Sequence, residues 1–204
     1  MSSTRVVALF SGGATNLGHL VEAVDAGQVP VRIVGAIASR RDAPGIARAR
    51  GWGVPVEVVA RRELGGGARF QESLHAALAA FKPDLLVLCG FLSKLEPREF
   101  SGRTLNIHPA LIPAFSGAGF YGARVHEAVL ASGVKLTGVT VHFCDDEYDT
   151  GPIVAQEAVP VHDDDTVATL AARVQAVERE LYPRVVRLFA EGRLEVRGRR
   201  VHVR

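Results

Sequence analysis

Apolar positions fall into short runs separated by turns. Arg5–Phe10 (RVVALF) is a β-branched run, Ser11–Thr15 a turn, and Asn16–Ala26 a stretch with helical spacing. The alternation then repeats. A strand is predicted at Val31–Ser39, a short helix at Pro44–Gly51, a strand at Val54–Val59 and a helix over 68–81, where Phe70, Leu74, Ala77, Leu78 and Phe81 share one face. Leu85–Cys89 is almost uniformly apolar, as strands covered on both faces of a parallel sheet are. The order β-α-β-α-β-α-β predicts a doubly wound, mostly parallel α/β fold, Rossmann-like in this half.

The second half reads as mixed. Thr104–His108 is a short strand ended by Pro109, followed by a loop with Pro113, Gly117 and Gly119 and a helix at Ala123–Ser132. Strands at Thr137–Phe143 and Ile153–Val161 flank the acidic turn Asp145–Pro152. A long helix runs from near Thr166 to about Ala190, with Asp165 as its expected N-cap and Gly192 as its stop; Pro183 should kink or split it. With no linker or repeat, a single domain over 1–204 is expected, with halves 1–103 and 104–204. A chain of 204 residues buries about 70% of its unfolded surface, so neither disulfide nor metal is needed to hold it. Gly65–Gly67 reads as a surface loop.

Composition narrows the class. With 24 basic and 22 acidic residues the net charge is +2, which calls for no nucleic acid. Arg193, Arg197, Arg199, Arg200 and Arg204 in the tail read as a solvated edge. The apolar run Leu85–Leu92 is too short for a bilayer, and Val6–Phe10 is too short for a signal peptide, so no membrane and a cytoplasmic location are expected. Cys89 and Cys144, without a CxxC pair, read as reduced packing residues.

Two stretches carry chemistry. Ser11-Gly12-Gly13-Ala14-Thr15-Asn16 joins the first strand to the first helix. Gly12 and Gly13 let backbone N–H groups approach a ligand, and the helix start favours a phosphate; an ordinary turn capped by Thr or Asn is the plainer alternative. Neither GxxxxGK[ST] nor GxGxxG is present, and only Arg40 and Arg41 after the second strand speak for a dinucleotide. In Thr104–Pro109 the strand alternation places Asn106 and His108 on one face. An amide can steady an oxyanion and an imidazole can move a proton; the plain alternative is a satisfied core histidine beside a turn asparagine. Asp145, Asp146, Glu147 and Asp149 form a solvated tip or supply a carboxylate to His108. Metal-ligand spacing is lacking.

RVVALFSGGATNL, KPDLLVLCGFLSKL, LNIHPALIPAF, TGVTVHF with DEYDTGPIVAQEAVPV, and RVQAVERELYP together resemble the phosphoribosylglycinamide (GAR) formyltransferases of purine biosynthesis, over nearly the whole chain. The resemblance implies the formyltransferase fold, 10-formyltetrahydrofolate as co-substrate, GAR as acceptor, no metal, and a monomer or homodimer. It places catalysis on Asn106, His108 and Asp149. It places GAR binding on Gly12, Gly13, Ala14, Thr15, Asn16, Gln175 and Glu178. The folate is placed on Leu92, Ser93, Lys94, Leu95, Asn106, Asp145, Asp146 and Glu147. Ala14 stands where the family has a glycine and Thr15 where it has a serine. A family arginine near the folate tail falls in Gly65–Gly67, with Arg69 just beyond, and Phe115–Arg124 departs from the better-known pattern. Deformylases and methionyl-tRNA formyltransferases share the chemistry but carry a further N-terminal or C-terminal domain, which this chain is expected to lack. A non-catalytic folate or nucleotide sensor and an NADP-dependent oxidoreductase are the readings from other classes.

Overall fold

The computed structural model describes residues 3–65 and 67–204. Two compact units emerge, Met1–Leu105 and Asn106–Arg204. The first contains β1 (Thr4–Phe10), α1 (Thr15–Asp25), β2 (Val31–Ala38), α2 (Gly45–Gly51), β3 (Val56–Val58), α3 (Gly67–Phe81) and β4 (Leu85–Leu88). Its strands lie in the order β3-β2-β1-β4, and β1 pairs in parallel with both β2 and β4. Val6–Phe10 are fully buried, as befits a central strand covered on both faces. The chain winds outward from β1 through β3 and then restarts on the other side of β1 at β4. That reversal is where open α/β sheets bind ligands, beyond the carboxyl ends of the strands. The loops leaving β1 and β4 meet there: Ser11 N–H donates to the Gly90 carbonyl (2.9 Å) and Leu92 N–H to Ser11 Oγ (2.8 Å).

The boundary between the units falls inside β5 (Thr104–His108). The second unit continues with α4 (Ala123–Ser132), β6 (Leu136–Phe143), β7 (Ile153–Pro160), α5 (Val167–Ala190), β8 (Leu194–Arg197) and β9 (Arg200–Val203). Its strands follow the order β5-β6-β7-β9-β8, with β6 and β7 antiparallel and β9 joining β7 in parallel at the pair Ile153–Arg200.

Two local expectations need correction. The N-cap of α5 is Thr166, not Asp165: Thr166 Oγ1 accepts from Thr169 N–H (3.2 Å) and Thr169 Oγ1 from Thr166 N–H (2.9 Å). Asp165 instead binds the Arg173 guanidinium through both oxygens, at 2.7 and 2.8 Å. Pro183 does not split the helix, which runs as one element from Val167 to Ala190. Pro183 is buried beside Tyr182, Val185 and Val186, and burying that apolar face offsets the one lost backbone bond. The arginine-rich tail is largely exposed at the end of the strand order, as expected of a solvated edge, and it is built as a β-hairpin, β8–β9, turned at Gly198 with φ +59°. Of the Gly65–Gly67 stretch, Gly66 lies outside the described residues.

Candidate active site

The loop after β1 opens α1 with Ala14 in the left-handed region, φ 55° and ψ 35°, and no side chain caps the helix. The plainer alternative, a turn capped by Thr15 or Asn16, is therefore not what the N-cap position shows, since Ala14 holds it. The first-turn N–H groups and the positive end of the helix dipole suit an anion. A Cβ at φ +55° costs about 1 kcal/mol, local strain of the kind found at ligand sites. Helix α2 holds the loop from behind. Gly45 N–H donates to the Gly12 carbonyl (3.0 Å), and Arg48 Nη1 donates to the Gly13 carbonyl (2.7 Å) while its guanidinium lies over Trp52. A Cβ on Gly45 would stand 2.7 Å from both Ala14 Cβ and the Gly12 oxygen. Gly45→Ala is accordingly expected to push the loop outward and raise the Michaelis constant for a phosphate-bearing substrate about tenfold, with kcat little changed; steady-state kinetics check it.

In the 92–95 segment Ser93 and Leu95 are buried, Lys94 is half-buried and Leu92 is exposed. Gln71 on α3 fixes the segment's backbone: its Nε2 donates to the Lys94 carbonyl (2.8 Å), and its Oε1 accepts from Glu96 N–H (3.2 Å).

In the second unit the acidic turn divides. Asp146 and Glu147 are exposed, whereas Asp149 turns inward with its side chain only 10% exposed. Asp149 is itself left-handed, with φ +58°. Its neighbour Gly151 sets the turn, since a Cβ there would lie 1.9 Å from the Phe143 carbonyl oxygen. Asp145 ties the turn internally, Oδ1 accepting from Thr150 Oγ1 (2.7 Å) and Glu147 N–H (3.2 Å).

Asp149 gathers the site. Gly117 N–H donates to its Oδ2 (2.9 Å) and Asn106 Nδ2 to its Oδ1 (3.3 Å); His108 Nδ1 lies 3.6 Å and His142 Nε2 3.5 Å away. Burial raises the Asp149 pKa. The adjoining His142, the charge of His108 and the Gly117 N–H together outweigh that and hold it below the usual carboxylate value. His108 Nε2–H donates to the Phe115 carbonyl (2.8 Å). Asp149 was expected to favour the charged ring. It does so, but burial is the larger influence, and His108 sits below its ordinary pKa. Acceptors on both sides suit the imidazolium, so negative charge developing nearby would favour it.

His142, which the sequence reading passed over, completes the cluster. Its Nδ1–H donates to the Phe143 carbonyl (2.8 Å), which leaves Nε2 to accept from Asn106 Nδ2 (3.1 Å). Asn106 thus spends both amide hydrogens inside the protein, on His142 and on Asp149. One signal was available: His142 shares a face of β6 with Thr140, whose hydroxyl receives Ile112 N–H (3.1 Å) and donates to the Ala110 carbonyl (2.7 Å), anchoring the segment after His108. Arg48 gave no signal, because its partner loop is distant in sequence. His126 on α4 is also buried, and its pKa is lowered by burial and then by His108. Gln175 is exposed and Glu178 buried on α5. Among the described residues, no group of three or more His, Cys, Asp or Glu side chains is arranged to hold a metal ion. No helix among them is long and apolar enough to cross a membrane.

Comparison with known proteins follows the same lines. The formyl transferase family model matches residues 4–186. The chain is 42% identical over 199 residues to the chloroplastic phosphoribosylglycinamide formyltransferase of Arabidopsis thaliana, covering 95% of this chain and 68% of that protein. It is 33% identical to the phosphoribosylglycinamide formyltransferase of Haemophilus influenzae, covering 95% and 90%. Among solved structures, glycinamide ribonucleotide transformylase 1 from Symbiobacterium toebii matches with a TM-score of 0.92 at 39% identity, over 98% of this chain and 94% of that one.

Proposed function

Since the chain belongs to the formyl transferase family and, within it, to the phosphoribosylglycinamide formyltransferases of purine biosynthesis, we infer from the geometry which of its residues move a formyl group from 10-formyltetrahydrofolate to the amine of GAR. The acceptor amine is already a nucleophile, so no covalent enzyme intermediate is required. The amine attacks the formyl carbon. Asn106 Nδ2 and His108 Nε2–H steady the tetrahedral oxyanion, the amine proton passes to the departing folate nitrogen, and the carbon–nitrogen bond to folate breaks. Asp149 holds both donors in place and compensates the imidazolium as the oxyanion forms. Gly12–Asn16 receive the acceptor's phosphate, with Gln175 and Glu178 assigned to GAR. Leu92–Leu95 and the turn 145–149 receive the pterin end of the donor.

The observation that carries this reading is the inward-turned carboxylate of Asp149, shared by His108, Asn106 and the Gly117 backbone. In this structure both oxyanion donors are satisfied within the protein, so substrate must compete with His142 Nε2 and the Phe115 carbonyl for them. A formyl-transfer assay with GAR and 10-formyltetrahydrofolate tests the reading, and a parallel arm without GAR separates transfer from simple deformylation. Asn106→Ala is expected to fold normally and lose about 10²-fold in kcat, the cost of one oxyanion donor. Wild-type turnover in a normally melting variant would assign Asn106 to packing.

A further inference from the structure

The reactive carboxylate sits on a turn that is held from outside by a part of the chain beyond the family match, which ends at residue 186. The hairpin β8–β9 brings its tip, Gly198–Arg199, to that turn. Arg199 Nη2 donates to the Thr150 carbonyl (2.7 Å), one residue from Asp149. The next residue, Arg200, makes the pair with Ile153 that joins β9 to β7, immediately after the turn closes at Pro152. The tip is therefore pinned at two points bracketing residues 150–153. On the other side the turn is pinned by Phe143 N–H to the Pro152 carbonyl (2.9 Å) and by Gly151 seated against the Phe143 carbonyl. Charge agrees with the contact. The tip carries Arg197, Arg199 and Arg200, and the turn carries Asp145, Asp146, Glu147 and Asp149.

We propose that Arg199 is a positioning residue for the formyl transfer: by holding the Thr150 carbonyl it keeps the left-handed Asp149 backbone, and with it the Asp149 carboxylate, aligned on His108 and Asn106. A residue at φ +58° relaxes toward the ordinary region unless its flanking peptides are fixed. Thr150 is exposed and its side chain is taken by Asp145, so its carbonyl is the handle the hairpin holds. The hairpin reaches the site through the backbone of one turn.

The inference rests on the assignment of the 145–149 turn to the donor side. Its test compares wild type, Arg199→Ala and Arg199→Lys in the full chain. Arg199→Ala is expected to lower kcat/KM for 10-formyltetrahydrofolate about tenfold while leaving the Michaelis constant for GAR within twofold and the melting temperature nearly unchanged. Arg199→Lys, which keeps a cationic donor, should recover most of the loss. Amide hydrogen exchange across residues 145–152 should quicken at least several-fold in Arg199→Ala and stay at the wild-type rate elsewhere in the second unit. Wild-type kinetics, a loss confined to the Michaelis constant for GAR, or unchanged exchange in Arg199→Ala would overturn the proposal. Absence of transfer by the wild type would instead overturn the functional assignment, and the exchange measurement would still decide whether Arg199 holds the turn.

Discussion

Asp149→Asn is expected to reduce kcat by about 10³-fold or more, the scale seen when an orienting carboxylate beside a catalytic histidine becomes an amide. The replacement keeps the size of the side chain but cannot keep its bonds. Asp149 accepts from Gly117 N–H and from Asn106 Nδ2, so one of these donors would face an amide N–H₂. The variant also removes the charge that favours protonated His108. Burial already holds His108 below its ordinary pKa, with Asp149 opposing it. An NMR titration should therefore find the ring titrating lower still in Asp149→Asn. An unchanged histidine titration would sink the coupled pair even if the variant were inactive. The acid limb of stability should respond as well. Asp149 has a folded pKa below its unfolded value of about 3.9, so its contribution is full above that pH and is lost as the pH falls through the folded value. In Asp149→Asn that part of the acid dependence should disappear from the stability curve.

Thr15→Glu is expected to act on the acceptor alone. Thr15 is the first residue of α1, beside Ala14 and the two glycines, where the helix end and the loop N–H groups favour an anion. A carboxylate there would meet the phosphate of GAR at close range. Like charges set against each other cost several kcal/mol, or on the order of 10³-fold in the Michaelis constant for GAR. Binding of a folate analogue, followed by fluorescence or calorimetry, should change by less than about twofold. An equal loss of both ligands would refute the assignment of the phosphate to this loop.

The helices and strands of the first unit were legible because each keeps one period for its whole length. The predicted ends fall within one or two residues of β1, α1, β2 and α2, and β3 is shorter than expected at Val56–Val58. Asn106 and His108 were legible for the same reason, since strand alternation puts them on one face and Pro109 stops the strand behind them. The hairpin within the tail was not read because its arginines obscured a short alternation of Leu194 and Val196 with Val201 and Val203. The cap of α5 was misread because Asp and Thr are both good N-caps, and only the Thr169 bonds chose between them.

The sequence by itself determined the class of fold and the family resemblance and singled out the two segments proposed to carry the chemistry, because periodicity, glycine placement and short motifs are local. Tertiary structure alone decided the rest. It turned the Asp149 carboxylate inward while leaving Asp146 and Glu147 exposed, brought in His142 and Arg48, set the resting pKa of His108 below rather than above its ordinary value, and turned the tail into a hairpin against the reactive turn. Each of these depends on burial or on a contact across many residues, and desolvation outweighing a neighbouring charge is a matter of how much water the fold excludes, which no local pattern encodes.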